Sequence, residues 1–335
     1  MPFIEDILKY KSLSIVGLEK NTGKTECLNY VLKRLKDTDR QIALTSIGID
    51  GETVDQVKNT HKPEIELQKD TIFITSEKHY REKLLVSEII DISEQHTSLG
   101  RLVTAKAKGT GKVLISGPAD TVWLKSIVKQ MESMNVDTTI VDGALSRLSL
   151  GSPAVTESMV LATGAAVSAN IPQLVKKTKF VYDLINIEEY VSDIKDELIS
   201  KNKGIWAIDA DGVLHDLDIP SVFLLEKNKD KLFNHGTVIY VTGAISDKLL
   251  NFLRIQKNIK DIVLIVKDFT KIFVTHQAYH SFLKRGGRIN VLLRTNLIAV
   301  TVNPVSPEGF VLDSETLRAA MSESLQIPVY DIKKL

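Results

Sequence analysis

The sequence predicts an α/β fold in which a mostly parallel sheet carries helices on both faces, followed by a second α/β domain. Short apolar runs alternate with amphipathic stretches along the chain, and strand–helix–strand repetition of this kind is typical of parallel sheets covered by helices. The length of 335 residues allows two domains, each with its own core. We predict the domains at residues 1–178 and 179–335.

Apolar runs predict the strands of the first domain, which are SLSIVGL, QIALTSIGI, TIFIT, KVLISGP, TTIVDGA and MVLATGA. Helices are predicted where apolar residues recur with the helical period. They are CLNYVLKRLKD, WLKSIVKQMES and AAVSANIPQLVKK, the last interrupted by Pro172. A further charged amphipathic helix is predicted over DLINIEEYVSDIKDELISKNKG, where it links the two domains or packs across them.

The second domain is predicted to begin with a hairpin in GIWAIDADGVLHDLDIPS. The dipeptide Asp211-Gly212 supplies its turn, because Asp-Gly favours the tight turns that join antiparallel strands. The α/β pattern then continues through TVIYVTGAISDKLLNFL, DIVLIVKD, RINVLLRTNLIAVTVNP and the terminal helix SETLRAAMSESLQ.

Composition and charge narrow the classes of function. Lys and Arg total 43 against 42 for Asp and Glu, so no broad electrostatic field attracts nucleic acid or a membrane surface. The single cysteine, Cys27, excludes an intramolecular disulfide and fits a reducing compartment. The N-terminal MPFIEDILKYKSLSIVG carries acidic residues where a secretory signal is basic. We therefore expect a cytoplasmic protein with neither nucleic-acid nor membrane partners.

The strongest chemical signal is the segment SLSIVGLEKNTGKTECLNYVLKRL. It reads as a strand, a loop ending in Gly23-Lys24-Thr25, and a helix, which is the context that a phosphate-binding P-loop requires. Five residues separate Gly17 from Gly23, whereas the usual pattern has four and would place its first glycine at Leu18. A glycine turn with a solvated lysine is the plain alternative.

The P-loop interpretation assigns a task to each residue type. Backbone N–H groups of the loop would cradle the phosphates, Lys24 would bridge the β- and γ-phosphates, and the Thr25 hydroxyl would bind Mg²⁺. The predicted cofactors are thus ATP or GTP and Mg²⁺. The predicted nucleotide-binding residues are Gly17, Lys20, Asn21, Thr22, Gly23, Lys24 and Thr25.

A P-loop protein also needs a carboxylate close to Mg²⁺. Asp142 is the first candidate, because it lies at the end of the predicted strand TTIVDGA, and with Lys24 it is predicted to be catalytic if nucleotide turns over. Asp142 as a helix N-cap is the alternative. Asp50 and Glu52 follow the second strand and are further metal candidates, although Asp-Gly is equally a plain turn dipeptide.

The five-residue spacing resembles the loop of dethiobiotin synthetase and its relatives, in which Gly, five residues and Gly-Lys-Thr form the phosphate cradle. That resemblance covers the loop and, more loosely, the strand TTIVDGA. Related ATPases place a lysine early in the loop, whereas this chain has Glu19 there and Lys20 next.

Over nearly its full length the chain resembles the reactivating-factor subunits found with adenosylcobalamin-dependent lysine 5,6-aminomutase. The segments that carry this resemblance are TSIGIDGE, LISGPADT, TTIVDGALSR, VLATGAAV, YVTGAISDKLL, VKDFTKIFV and LIAVTVNPVSPEGF. It implies an ATP-driven component that rescues an inactivated aminomutase together with a partner reactivase subunit. A ligase similar to dethiobiotin synthetase and a nucleotide-binding regulator without turnover remain as alternatives, and homo-oligomerisation is open.

Overall fold

A computed structural model describes residues 2–48, 65–118, 120–144, 152 and 155–335, without the side chains of residues 144, 223, 225–227 and 229. The chain divides into two compact units. The first comprises Met1–Lys179 together with Asn296–Leu335, and the second is Phe180–Thr295.

The elements are numbered here in chain order. The strands are β1 (Ser12–Gly17), β2 (Ile42–Ser46), β3 (Ile65–Leu67), β4 (Ile72–Ser76), β5 (Ser87–Thr97), β6 (Gly100–Ala107), β7 (Gly111–Val113), β8 (Thr138–Ala144), β9 (Ser158–Gly164), β10 (Ile205–Ile208), β11 (Leu214–Asp216), β12 (Val238–Val241), β13 (Ile245–Ser246), β14 (Val263–Val266), β15 (Ile272–Phe273), β16 (Arg288–Val291), β17 (Asn296–Asn303) and β18 (Val329–Asp331).

The α-helices are α1 (Ile4–Ile7), α2 (Lys24–Leu35), α3 (Glu77–Glu82), α4 (Thr121–Ser133), α5 (Ile171–Ile185), α6 (Lys195–Ser200), α7 (Asp247–Arg254), α8 (His276–Lys284) and α9 (Ser314–Leu325). Short 3₁₀ segments cover Val222–Lys231, Ile259–Asp261 and Phe269–Lys271.

The first unit is built on a large, mostly parallel sheet. Within the described part of the chain its strand order is β18-β17-β9-β1-β8-β2-β4-β6-β5. Each neighbouring pair from β18 to β4 is parallel, whereas β6 is antiparallel to both β4 and β5. The α/β class and the mostly parallel sheet predicted from the sequence are thus confirmed.

Helices cover opposite faces of this sheet, because side chains alternate between the two faces along each strand. On one face, Leu13 of β1 and Ile140 of β8 belong to the same buried cluster as Leu28 of α2. On the other face, Val141 of β8 clusters with Leu124 of α4. Neighbouring residues of β8 therefore pack against different helices, and β1 and β8 are buried strands near the middle of the sheet.

The prediction that KVLISGP is a strand of the parallel sheet is wrong. KVLISGP contributes only β7, which ends at Val113 and pairs antiparallel with β3 in a separate two-stranded sheet. Beyond Val113, backbone groups form hydrogen bonds with a side chain of β4 and not with the backbone of a neighbouring strand. Thr75 Oγ1 donates to Leu114 O at 2.7 Å, and Ser116 N donates to Thr75 Oγ1 at 3.2 Å. The antiparallel hairpin of β5 and β6 at the sheet edge was not predicted.

The C-terminal part of the chain returns to the first unit. Strand β17 pairs with β9 and β18 pairs with β17, both in parallel, so the last strands extend the sheet that contains the predicted phosphate loop. The predicted division at residues 178 and 179 placed this segment in the second domain. The difference arises because local patterns report strand character but not which sheet a strand joins.

The second unit has its own α/β sheet, with strand order β11-β10-β12-β14-β16 in the described residues. Strands β12, β14 and β16 are parallel, and β10 pairs antiparallel with β11 and β12. The predicted hairpin is present, with Gly212 at a φ of 79° in its turn. The buried hydrophobic cluster of the second unit includes Leu198, Tyr240, Ile265 and Leu292.

The helix predicted over DLINIEEYVSDIKDELISKNKG is wrong. Helix α5 instead continues to Ile185, and α6 covers only Lys195–Ser200. Between them the backbone bonds to β16, where Tyr190 N donates to Val291 O at 2.8 Å and Val291 N donates to Glu188 O at 3.0 Å. Pro172 does not interrupt α5, because it lies in the first turn, where a backbone N–H has no intrahelical partner to lose.

No helix in the described residues is long and apolar enough to cross a membrane.

Candidate functional site

The predicted phosphate loop lies between two buried elements. Strand β1 ends at Gly17, and α2 begins at Lys24. The loop turns through two residues in left-handed backbone conformations, Asn21 with a φ of 62° and Gly23 with a φ of 87°. The N–H of Leu18 donates to a carbonyl of β9 at 2.8 Å. The start of the loop is therefore fixed to the sheet, and its end opens directly into a helix N-terminus.

Gly17 is required by the path of the Lys24 side chain. A methyl group on Gly17 Cα would lie 2.7 Å from Lys24 Cγ, 2.8 Å from Lys24 Cδ and 2.5 Å from Thr22 Oγ1. These separations are too short for any real contact. The Lys24 stem therefore passes close to Gly17, and its ammonium nitrogen lies 3.8 Å from Asp142 Oδ1.

Thr22 stabilises the loop from within. Its side chain is buried, and Oγ1 donates to the carbonyl of Glu19 at 2.9 Å. Lys20 is exposed and Thr25 is half-buried at the second position of α2. Of the predicted nucleotide-binding residues, Thr22 thus shapes the loop through its own hydroxyl and adds only a backbone N–H to any phosphate.

Asp142, the first carboxylate candidate for the metal, lies beside Lys24. The two strands that carry the site, β1 and β8, are neighbours in the sheet. Asp142 Oδ1 is 3.8 Å from Lys24 Nζ, and each side chain is 19% exposed. This oxygen is buried and accepts no hydrogen bond within the described part of the chain. The N-cap alternative for Asp142 is wrong, because Gly143 and Ala144 continue β8 beyond it.

Neighbouring strands fix the backbone at Asp142. Ser46, the last residue of β2, donates through Oγ to the Asp142 carbonyl at 3.0 Å. The segment after β7 then packs on the end of β2, since Gly48 N donates to Pro118 O at 2.7 Å and Gly117 N donates to Gly48 O at 2.9 Å. Asp50 and Glu52, the other predicted metal ligands, lie outside the described residues.

The returning C-terminal segment contributes residues that the sequence did not connect with this site. Asn303, at the end of β17, donates through Nδ2 to the carbonyl of Asn21 at 3.3 Å. Lys333 Nζ is 2.8 Å from a carboxylate oxygen of Glu26 in the first turn of α2. A methyl group on Gly23 would lie 3.2 Å from Ile332 Cγ2. The loop is thus supported from the far end of the sequence.

Ser116, in the segment after β7, belongs to a separate polar cluster. It is buried, and its Oγ accepts from Ser76 N at 3.0 Å and contacts His79 Nδ1 at 2.9 Å. Burial lowers the pKa of the His79 imidazole. This polar cluster closes the junction between β4, α3 and the segment after β7.

Cys27 also has a structural environment. Burial raises the pKa of its thiol to about 12, so the reactive thiolate is absent at neutral pH. The described residues contain no group of three or more His, Cys, Asp or Glu side chains arranged to hold a metal ion.

Comparison with models of protein families finds no match, and comparison with curated proteins finds no significant match.

Proposed function

We propose that this chain is a P-loop nucleotide-binding protein that holds the phosphates of ATP or GTP with Mg²⁺ at residues 17–25. The observation that supports the proposal is the Lys24 side chain, which passes close to Gly17 and pairs with Asp142 at the first residue of a helix that follows the loop. Helix N-termini and backbone N–H groups in such loops bind phosphate. A glycine turn with a solvated lysine would leave Lys24 more exposed than 19% of its side chain.

The residues fit a magnesium-bound polyphosphate. Lys24 and the loop N–H groups present positive charge to the anion. Asp142 holds a buried carboxylate oxygen that accepts no hydrogen bond from the described residues, and carboxylate oxygens are preferred ligands of Mg²⁺ or of its waters. The Thr25 hydroxyl would complete the protein ligands. Bound Mg²⁺ would supply charge neutralisation at the phosphates, while Lys24 and Asp142 would orient them.

Thr25→Ala is expected to weaken nucleotide binding in the presence of Mg²⁺ by roughly tenfold, about the value of one charge-assisted contact. Binding in EDTA should change by less than about twofold, because the hydroxyl serves the metal and not the phosphates. Titration of a fluorescent ATP analogue under both conditions measures the two affinities. Thr25→Ser keeps the hydroxyl and should bind like the unmodified chain. Equal loss in Mg²⁺ and in EDTA would contradict the assignment of Thr25 to the metal.

Within this class, we propose that the chain is the nucleotide-binding component of a reactivating system for an adenosylcobalamin-dependent aminomutase. The support is the family resemblance that extends over nearly the full length, together with the loop. The alternatives differ in their readouts. A ligase would turn over ATP when given a small carboxylate or amine, and a regulator would bind nucleotide without hydrolysis.

We expect the chain to associate with the aminomutase or with a partner reactivase subunit, and to restore inactivated mutase only when ATP and Mg²⁺ are supplied. A ligand shifts a conformational equilibrium only by its differential affinity for the two states, so mutase binding must change when ATP replaces ADP. Pull-down and activity recovery with each nucleotide test this, with Lys24→Ala as the control. Equal association and no recovery, even with the partner subunit added, would refute the reactivating role and leave nucleotide binding intact.

A further inference from the structure

The pairing of Lys24 with Asp142 has a geometry that suits exchange of partners. At 3.8 Å the two charged atoms attract each other but are too far apart for a hydrogen bond. Asp142 Oδ1 is buried and accepts no hydrogen bond from the described residues. A largely buried carboxylate is costly without a positive charge nearby. Among the described residues, Lys24 is therefore the counter-ion of Asp142.

The same Lys24 ammonium is the group proposed to meet the phosphates. An anion that binds in the loop without a cation must compete with Asp142 for Lys24. It is also repelled by the negative charge of Asp142, whose side chain is only 19% exposed. Mg²⁺ removes both obstacles, because a cation at Asp142 replaces Lys24 as its counter-ion. Binding of nucleotide therefore raises the affinity for Mg²⁺, and binding of Mg²⁺ raises the affinity for nucleotide.

We infer that the Lys24–Asp142 pair makes nucleotide and metal binding interdependent, with Asp142 acting against metal-free nucleotide and for the magnesium-bound form. The inference rests on the proposed nucleotide site and adds how that site is regulated. Coupling between two ligands is reciprocal, so removing either charge must change the affinity for the ligand that the other residue binds.

The direct test is Asp142→Asn, which keeps the shape of the side chain and removes its charge. The affinity for a fluorescent ATP analogue is measured with Mg²⁺ and with EDTA. For the unmodified chain we expect Mg²⁺ to tighten binding by about tenfold or more, within the usual range of coupling between sites. In Asp142→Asn we expect metal-free binding to tighten by at least about threefold, and the enhancement by Mg²⁺ to fall below about threefold.

Asp137→Asn is the matched control. Asp137 precedes the other end of β8, where it lies 3.6 Å from Arg40 Nη1. Asp142 is five residue steps farther along the chain, which is roughly 16 Å at 3.3 Å per residue, so salt largely screens the charge of Asp137 at that distance. This variant loses the same charge and should keep both affinities of the unmodified chain.

The possible outcomes separate the inference from the proposed function. If Asp142→Asn leaves metal-free binding unchanged or weakens it while the unmodified chain binds magnesium-nucleotide, the inference is overturned and the nucleotide site stands. If the unmodified chain binds no nucleotide under either condition, the proposed function fails, and the inference fails with it.

A second variant keeps the inference testable if Asp142→Asn does not fold. Lys24→Gln removes the counter-ion of Asp142, so Mn²⁺ without nucleotide should bind at least about threefold more tightly than to the unmodified chain. Free Mn²⁺ is measured by its electron paramagnetic resonance signal. Unchanged or weaker Mn²⁺ binding in a folded Lys24→Gln protein would overturn the interdependence.

Discussion

Lys24→Ala is expected to weaken binding of magnesium-nucleotide by roughly 30- to 100-fold. A hydrogen bond to a charged group contributes about 1.5–3 kcal/mol, and about 1.4 kcal/mol corresponds to a factor of ten in affinity. The upper part of that range is expected because the Lys24 side chain is only 19% exposed, so water screens its charge less than at the surface. Calorimetric titration with ATP and with GTP measures the loss.

Lys33→Ala is the control for this prediction. Lys33 is exposed on the same helix, and it lies about 13 Å farther along the axis at 1.5 Å per residue. Removing its charge should change the affinity by less than about twofold, because salt screens charges beyond roughly 8 Å. If Lys24→Ala folds and binds nucleotide as tightly as Lys33→Ala, the phosphates are not held at this loop.

Gly117→Ala is expected to have the largest effect on the stability of the first unit. A methyl group on Gly117 would lie 1.6 Å from the carbonyl oxygen of Ser46 and 2.5 Å from its carbon. Both atoms belong to the backbone at the end of β2, so no rotamer change relieves the overlap. Such overpacking costs about 3 kcal/mol, which lowers the melting temperature by roughly 6–12 °C for a unit of this size.

Gly109→Ala is the matched control, because a methyl group there meets no atom within 4 Å. It should change the free energy of unfolding by less than about 0.5 kcal/mol, as surface substitutions usually do. Thermal unfolding followed by circular dichroism compares the two variants. If both melt like the unmodified chain, the segment after β7 does not pack against β2 as described.

Local sequence patterns were sufficient to predict the central part of the site. Apolar runs of the right length predicted β1 and β8, and the Gly-Lys-Thr triplet marked the start of α2. Because both strands are buried and parallel, their carboxyl ends meet at one edge of the sheet. This rule places Asp142 close to the start of α2, where Lys24 lies.

Other elements lacked such a local signal. Strand β5 is exposed along most of its length, and its apolar residues, Ile89, Ile90 and Ile92, form only a short stretch among polar residues. KVLISGP shows the opposite problem. Val113 and Ile115 are buried and look like a strand, but the backbone beyond Val113 bonds to side chains of β4 instead of to a neighbouring strand.

The support that Asn303 gives to the loop could not be predicted from the sequence for a different reason. It depends on which sheet β17 joins, and that choice is decided by long-range packing and not by the residues around Asn303. Its hydrogen bond to the carbonyl of Asn21 spans 282 positions of the chain. In the local sequence, Asn303-Pro304 shows only the pattern of an ordinary turn.

The central claim, that residues 17–25 hold the phosphates of a magnesium-bound nucleotide, is tested most directly by isothermal titration calorimetry. ATP and GTP are each titrated into the unmodified chain with Mg²⁺ and then with EDTA. We expect at least one of the two nucleotides to show saturable binding at about one molecule per chain. Its affinity with Mg²⁺ should be about tenfold or more higher than with EDTA. No heat of binding from either nucleotide at millimolar concentration with Mg²⁺ present would contradict it.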